Sequence, residues 1–212
     1  GHVKGAFTGA DCAKKGYFHE GITRITDIDF KYAEKMGTSV KLFGTSRIKD
    51  GRVLAYVAPV MINKTSPLYS VNDVFNGILV KGNMLGTSMF YGSGAGKLPT
   101  GSAVVAEIIE AAQNLKRNVP MGWTGEKQAI ESMDQAQFRY FVRVAGSYRN
   151  KEQDVKSAFG QVEVIELYGM DEFAFLTAQM TEGEFKKGAV SYDARERERF
   201  EYGIKQMIRA VL

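Results

Sequence analysis

Several residue types and patterns are scarce in this 212-residue sequence, and each scarcity excludes a class of protein. The single cysteine, Cys12, leaves no pair for an internal disulfide and suits a reducing compartment, so we expect a cytoplasmic protein. No apolar run approaches the roughly 20 residues that span a bilayer, and no charged segment precedes an apolar stretch at the N-terminus. We therefore expect neither a membrane partner nor a signal peptide. With two histidines in all, a metal site is not expected either.

The charge is mild, and the basic residues are interspersed with acidic ones. The net charge is +4, whereas a nucleic-acid footprint needs a concentrated basic stripe, so we expect no nucleic-acid partner. Hydrophobic residues at 44% and charged residues at 25% are typical of a globular protein, and the length allows two modest domains. The opening residues, GHVKGAFTGADCAKKGY, contain neither an initiator methionine nor a patterned element, so we interpret the chain as a piece of something longer.

Helical and strand patterns alternate in the first half of the chain. Residues 22–37 predict a helix that is capped by Thr26 and ends at Gly37. Its expected apolar face consists of Phe30, Ala33 and Met36. Two apolar runs flank Asp50-Gly51, a strong hairpin signal, and two more flank Gly82-Asn83. Residues 99–115 predict a further helix, with Pro99 in its first turn.

The second half begins with a linker and continues with a compact pattern. Residues 116–136 lose their periodicity and contain a proline and two glycines, which indicates a linker. Residues 137–180 predict strand, helix, strand and strand, and a charged helix falls within 182–200. Residues 204–212 fit a strand or a helix, and a strand completes the order βαββαβ of ferredoxin-like domains. The chain as a whole therefore predicts an α+β fold.

The stretch FYGSGAGKLPTGSAVVAEI, residues 90–108, resembles a nucleotide-binding loop at first sight. A P-loop would need glycine at Tyr91 and a hydroxyl residue at Leu98, and a dinucleotide fingerprint would need glycine at Lys97. Both phosphate-binding interpretations therefore fail. Two alternatives stay open: a glycine turn at a helix N-terminus that faces a polar ligand, or a turn in which glycine only relieves crowding.

Other candidate groups are weaker. His19 and Glu20 are adjacent, and adjacent residues do not converge easily on a metal. Cys12 has no histidine partner in a recognisable nucleophile pattern, so an ordinary thiol is expected. The run RERERF, residues 195–200, is expected to form a solvated helix face with pairs three residues apart.

Residues 20–108 resemble the homoserine dehydrogenase family. The matching blocks come in the family's order, and they include EGITRIT, VKLFGTS, SPLYSVNDVFNGILVKGNMLG and the specific FYGSGAGKLPTGSAVVAEI. The resemblance implies an enzyme that interconverts L-aspartate 4-semialdehyde and L-homoserine with NADP or NAD, a step toward threonine and methionine. A small-molecule substrate is therefore expected for the parent protein.

The resemblance also implies a domain plan. Residues 1–115 would be part of a catalytic and dimerisation domain with a mixed sheet, residues 116–136 a linker, and residues 137–212 an ACT-like, ferredoxin-like βαββαβ domain. The family's Rossmann domain and catalytic lysine would lie upstream of Gly1, so the catalytic domain would be incomplete at its N-terminus. No catalytic residue is expected in this segment.

The glycine turn is where the resemblance places the cofactor. In the family, the glycine before a variable xxPT element contacts the nicotinamide half, and that position is Gly96, with Gly94 and Thr100 beside it. The turn would then form a cofactor-facing wall and not a phosphate cradle. No lysine here, including Lys97, is assigned the role of the absent catalytic lysine.

Association and regulation complete the expectations. The resemblance implies a homo-oligomer, a dimer or tetramer, joined through the sheet of residues 38–91 and through the ACT-like domain as a second contact. Amino-acid-binding ACT domains carry a proline-glycine turn after their first strand, whereas residues 146–155, GSYRNKEQDV, have no proline, so weak or no threonine binding is expected. Two hypotheses stay open: the C-terminal part of an oxidoreductase, inactive alone, or a stand-alone regulatory or dimerisation protein.

Overall fold

The computed structural model describes residues 17–120, 129–199 and 203–212. Cys12 and the side chains of residues 195–200 lie outside the described part of the chain. The described residues form two compact units, of which the second consists of residues 64–120 and the first of all the others. The expected division at residues 115 and 136 stays a prediction, and the two compact units follow a different partition.

The elements of the first unit come from both ends of the chain. In order they are β1 (Phe18–His19), α1 (Asp27–Lys35), β2 (Thr38–Lys49), β3 (Arg52–Asn63), β6 (Ala129–Ile130), a 3-10 turn (Met133–Gln135), β7 (Gln137–Ala145), α3 (Tyr148–Phe159), β8 (Val162–Glu166), β9 (Glu172–Thr177), β10 (Met180–Thr181), α4 (Glu182–Arg199) and β11 (Ile204–Val211). The second unit contains β4 (Phe75–Gly82), β5 (Gly86–Ser93) and α2 (Lys97–Gln113).

The long strand β3 organises the sheet of the first unit. The predicted hairpin joins it to β2 in continuous antiparallel register, with Lys49 opposite Arg52. Asp50 and Gly51 both have positive φ, 50° and 71°, which matches the type I′ turn that Asp-Gly favours. Along its other edge β3 pairs in parallel with three shorter segments, β6, β1 and β11. The resulting sheet has nine strands among the described residues and is mixed, so the predicted α+β mixed-sheet fold is confirmed.

The predicted βαββαβ order is present in residues 137–212. Strands β11, β7, β9 and β8 are neighbours in that order, and each adjacent pair is antiparallel. Residues 204–211 form a strand, which settles the alternative that the sequence left open. The expected tail is continuous with the rest of the sheet, because Arg209 to Val211 of β11 pair with Val60 to Ile62 of β3.

Helix α1 lies within the predicted helix, but its predicted apolar face was partly wrong. Its N-cap is Thr26 and Gly37 follows its C-cap with φ 65°, both as expected. The buried residues, however, are Asp29, Tyr32 and Ala33, and Phe30 is half exposed. An ion pair buries Asp29, so a charged residue replaces Phe30 on the inward face.

The two faces of the four-stranded βαββαβ segment are covered by different helices. On one face, α1 packs with Tyr32 and Ala33 against a cluster of buried residues from four strands: Met61, Phe141, Ala174, Leu176, Ile208 and Ala210. On the other face, aromatic rings of α3 and α4 contact the strands, with Phe159 5.3 Å from Phe175 and Phe185 4.1 Å from Tyr140 between ring centroids. The central strand β9 is therefore covered on both faces and is buried at every residue.

The second unit is a two-stranded hairpin and a helix. Strands β4 and β5 pair antiparallel from Phe75–Ser93 to Gly82–Gly86, so the turn predicted near Gly82-Asn83 is confirmed. The expectation of one sheet over residues 38–91 was wrong, because β4 and β5 pair only with each other among the described strands. Helix α2, predicted at 99–115, has no buried residue.

Candidate functional site

The glycine turn at residues 94–96 joins β5 to α2 in the second unit. The backbone N–H of Gly94 donates to the carbonyl of Val74, 3.2 Å away, which fixes the start of the turn beside the residue that precedes β4. A Cβ atom at Gly94 would lie 1.5 Å from Asn76 Nδ2 and 2.7 Å from Asn76 Cγ. A larger residue at Gly94 would therefore displace the amide side chain of Asn76, which occupies the space beside it.

A different reason requires glycine at Gly96, the N-cap of α2. Its φ of 119° and ψ of 157° lie in a region that residues with a Cβ rarely adopt. Space is not the constraint, because a Cβ atom would meet only Pro99, at 3.5 Å. The turn thus presents backbone rather than side chains at two of its three positions.

The N-terminus of helix α2 is not capped by a side chain. Its N-cap is a glycine without a side chain, and its first turn contains no acidic residue. The first N–H groups of any α-helix have no partner within the helix, and they form the positive end of its dipole. Pro99 removes one of these donors, and Thr100 N–H closes the first turn on the carbonyl of Gly96 at 3.1 Å. The turn can therefore accept a polar or planar group close to its backbone.

The three predicted site residues lie together on this turn. Gly94, Gly96 and Thr100 are all exposed, and Lys97 is the exposed first residue of α2. Their proximity follows from sequence adjacency. The first unit contributes a different kind of polar structure, which the sequence analysis did not identify.

A buried guanidinium, that of Arg143 on β7, lies between two carboxylates. Arg143 Nη1 donates to Asp29 Oδ1 at 2.6 Å, and its Nε and Nη2 donate to Glu172 Oε1 and Oε2 at 3.0 and 3.2 Å. Lys205 donates to Glu172 Oε2 at 3.0 Å, so two cations balance two anions. Asp29 also accepts from the backbone N–H of Thr26 at 2.7 Å. We call these four residues, Arg143, Asp29, Glu172 and Lys205, the Arg143 cluster.

A second buried guanidinium, that of Arg209 on β11, lies on the opposite face of the sheet. It donates through Nε and Nη2 to Glu182 at 2.9 and 2.5 Å, and through Nη1 to Glu20 at 2.5 Å. The Phe18 ring centroid lies 4.5 Å from its central carbon. The Tyr140 hydroxyl donates to Glu182 Oε2 at 2.9 Å. We call Arg209, Glu182, Glu20 and Tyr140 the Arg209 cluster.

Two buried tyrosines, Tyr32 and Tyr140, donate hydrogen bonds to residues of these clusters. Burial and the neighbouring Glu182 raise the pKa of the Tyr140 phenol far above its usual range. Burial, with Glu172 nearby, raises the pKa of Tyr32 to about 12. Both hydroxyls therefore stay protonated at neutral pH, and neither can act as a base.

The clusters could have been suspected from the strand sequences. Residues 138–144, FRYFVRV, place arginines in an otherwise apolar strand, and Arg209 interrupts the last apolar run. Charged residues in strands that are buried on both faces need buried partners. The identity of those partners, separated by 27 to 189 residues, needed the structure. Glu20, weighed above as half of a metal pair, pairs with Arg209 instead.

The described side chains were not predicted to bind a metal, and their positions bear on that prediction. Among the described side chains, none come together in a group of three that could hold a metal ion. In the same part of the chain, no helix combines the length and the apolar character needed to cross a bilayer.

The packing of Gly94 gives a testable prediction. Replacement Gly94→Ala should lower the free energy of unfolding by about 0.5–1.5 kcal/mol, because the exposed Asn76 side chain must leave its position or take an unfavourable rotamer. Chemical denaturation followed by circular dichroism measures this. The control Gly92→Ala places its Cβ in open space and should change little. In an Asn76→Ala background the cost of Gly94→Ala should vanish; an equal cost in both backgrounds would contradict the assignment.

Comparison with known proteins shows that this chain is similar to part of homoserine dehydrogenases. A sequence model of the family described as homoserine dehydrogenase matches residues 5–109. The Helicobacter pylori homoserine dehydrogenase is 33% identical over 158 residues, which are 74% of this chain and 36% of that protein. The Synechocystis homoserine dehydrogenase is 44% identical over 94 residues, 42% of this chain and 22% of that protein.

The fold of this chain resembles that of solved homoserine dehydrogenase structures. A homoserine dehydrogenase from Thiobacillus denitrificans superposes with a TM-score of 0.73 at 22% identity, covering 93% of this chain and 48% of that one, which compares the fold alone. The Staphylococcus aureus enzyme gives a TM-score of 0.63 at 26% identity with the same coverage. The chain spans about a third of the length of two curated relatives, those of Neisseria gonorrhoeae and Helicobacter pylori. Through residues 5–109, which include the glycine turn, the chain belongs to the homoserine dehydrogenase family.

Proposed function

We propose that this chain is the C-terminal part of an NAD(P)-dependent homoserine dehydrogenase and supplies the wall of its active site that faces the nicotinamide. The observation that carries the proposal is the family match over residues 5–109, which contains the whole turn of residues 94–100. The reaction interconverts L-aspartate 4-semialdehyde and L-homoserine, and its reductive direction adds a hydride to the aldehyde carbon and a proton to the oxygen. A bound NADPH or NADH would supply the hydride.

The residues of the turn fit a cofactor-facing wall. Gly96 leaves its backbone exposed, so a flat ring can approach it closely, whereas the amide side chain of Asn76 lies beside Gly94. The uncapped first turn of α2 offers N–H donors and a positive dipole end, which suit the oxygen of a carboxamide or a carboxylate. The Thr100 hydroxyl is exposed on the same turn and can donate to or accept from a ligand. These residues bind and orient; none of them is a proton donor for the aldehyde.

The proposal assigns the proton donor and the dinucleotide-binding domain to residues outside this chain. We assign no effector site to residues 137–212, although their βαββαβ order is that of an ACT-like domain. After β7 the backbone turns at Gly146, with φ 80°, and α3 begins two residues later without a proline-glycine turn. This segment enters the proposal as a scaffold.

The activity itself gives the first test. The 212-residue chain alone should not reduce aspartate semialdehyde with NADPH or NADH, because hydride transfer needs cofactor and aldehyde held together beside a proton donor. The full open reading frame should catalyse the reaction in the same spectrophotometric assay. A full-length protein without this activity would favour the stand-alone regulatory alternative, and activity of the chain alone would contradict the assignment of the proton donor.

The role of the turn can be tested in the full-length protein. Gly96→Val should reduce kcat/KM for the nicotinamide cofactor by about 10-fold or more, since a branched residue disfavours φ 119° and adds bulk on the exposed wall. The control is Gly101→Ala, whose Cβ would meet nothing within 4 Å. Both variants should retain their circular dichroism spectra. Unchanged kcat and KM in Gly96→Val would mean that the turn is only structural.

We also propose that the chain is a homodimer or a higher homo-oligomer. The exposed apolar residues of the second unit support this, because a two-stranded hairpin is marginal in water unless its apolar face is covered. Ile78 and Phe90 are paired across β4 and β5 and are 64% and 65% exposed. Helix α2 adds four more residues that are each more than half exposed: Val104, Val105, Ile108 and Ile109.

Light scattering measures the association directly. At low micromolar concentration the chain should have at least twice its monomer mass of 23.5 kDa. The double substitution Ile78→Lys and Phe90→Lys should shift it toward the monomer, whereas Leu85→Lys, at the exposed hairpin turn, should not. A monodisperse monomer of the unaltered chain would refute the proposal.

A further inference from the structure

Helix α1 is the structural link between the two sequence segments of the first unit. It belongs to residues 17–63, yet it covers one face of the sheet formed by residues 137–212. Tyr32 of this helix packs on Phe141 of β7, with ring centroids 5.6 Å apart. In the absence of α1, the apolar residues of that face would meet water, because α3 and α4 cover only the opposite face.

The Arg143 cluster joins the same two segments by charge. Asp29 comes from α1, whereas Arg143, Glu172 and Lys205 come from β7, β9 and β11. Asp29 is completely buried, and the side chains of Arg143 and Glu172 are 7% and 2% exposed. Separation of α1 from the sheet would leave Arg143 with one carboxylate fewer and would remove the only cation that contacts Asp29 among the described residues.

The Arg209 cluster also joins the two sequence segments by charge. Glu20 follows β1 in the first segment, and Arg209, Glu182 and Tyr140 belong to the second. The backbone adds a further connection, since Arg209, Ala210 and Val211 of β11 pair with β3. A buried ionic contact, a partly buried one, an apolar face and a strand pairing therefore all cross between residues 17–63 and residues 137–212.

We propose that residues 17–63 and residues 137–212 open and close as one cooperative unit, and that the Arg143 and Arg209 clusters couple them. The coupling transmits a change in either direction: any contact that stabilises the βαββαβ segment also stabilises α1 and β1 to β3 of the family-matching segment. Breaking one partner out of a buried ion pair is far costlier than losing an exposed pair, so partial opening at either segment is disfavoured. The βαββαβ segment is then a coupled scaffold and not an independent module.

Native-state hydrogen exchange on the complete chain tests the proposal without any substitution. Exchange is followed by mass spectrometry across a series of guanidinium concentrations below the unfolding midpoint. Peptides from α1, from β3 and from β9 should converge on one opening equilibrium. Opening of α1, β2 and β3 while β7, β9 and β11 stay protected, or the reverse, would overturn the proposal.

A pair of arginine variants on β7 supplies the control. Arg143→Met should raise exchange in α1 and in β9 together, on the order of 10²- to 10³-fold, because it leaves the buried Asp29 without a cation and Glu172 with Lys205 alone. Arg139→Met removes an arginine whose partners, Glu163 and the Thr177 carbonyl, both lie in the second segment, and whose ion pair is largely exposed. It should change exchange in α1 by less than about 5-fold.

Exchange in α1 and β9 distinguishes coupled from independent segments. A rise confined to α1 or confined to β9 in Arg143→Met would overturn the proposal. If Arg143→Met does not fold, Lys205→Met gives a milder change, because Lys205 is 39% exposed and Glu172 keeps Arg143. Its smaller rise in exchange should again appear in α1 and β9 together, and a rise in β9 alone would contradict the coupling.

Discussion

The buried guanidinium of Arg143 is the constraint on which the first unit depends. A positive charge inside a sheet is tolerated only where carboxylates neutralise it and satisfy its donors, and here Asp29 and Glu172 do so from two different elements. Because Asp29 lies at the third position of α1 and also accepts from the Thr26 N–H, one carboxylate both begins the helix and fixes it on the sheet. The rotation of α1 about its axis follows: Tyr32 and Ala33 face inward, and Phe30 does not.

The strand β3 adds a topological constraint to the electrostatic one. Along one edge, β3 pairs with β2, which precedes it directly in the chain. Along the other edge it pairs with residues 18–19, 129–130 and 209–211. The local hairpin can form early, whereas the other edge is completed only when the C-terminal strand arrives. Pairings over such sequence separations are slow to form because loop closure precedes the gain from contact.

Local signals in the sequence predicted most of the elements but not how they join. Asp50-Gly51 determined its hairpin because the type I′ turn depends on two residues, and Thr26 and Gly37 marked the ends of α1 for similar reasons. The face of α1 was predicted only in part, because apolar periodicity gives no sign of an ion pair with a residue 114 positions away. The pairing of the C-terminal segment with the rest of the sheet was missed likewise, since no local signal in residues 204–212 indicates β3 as a neighbour. At the glycine turn, the sequence located the residues, and the structure supplied two distinct reasons for glycine.

The attachment of the second unit has a consequence for engineering the chain. This unit is an insertion that leaves the first unit after Asn63, at the C-terminal end of β3, and the chain re-enters the sheet at Ala129, opposite Arg52 at the other end of the same strand. At about 3.3 Å per residue, the eleven steps from Arg52 to Asn63 separate the two attachment points by roughly 36 Å. A short loop therefore cannot replace the insertion. A chain that omits it needs a linker of about a dozen extended residues or more, running antiparallel to β3 along its whole length.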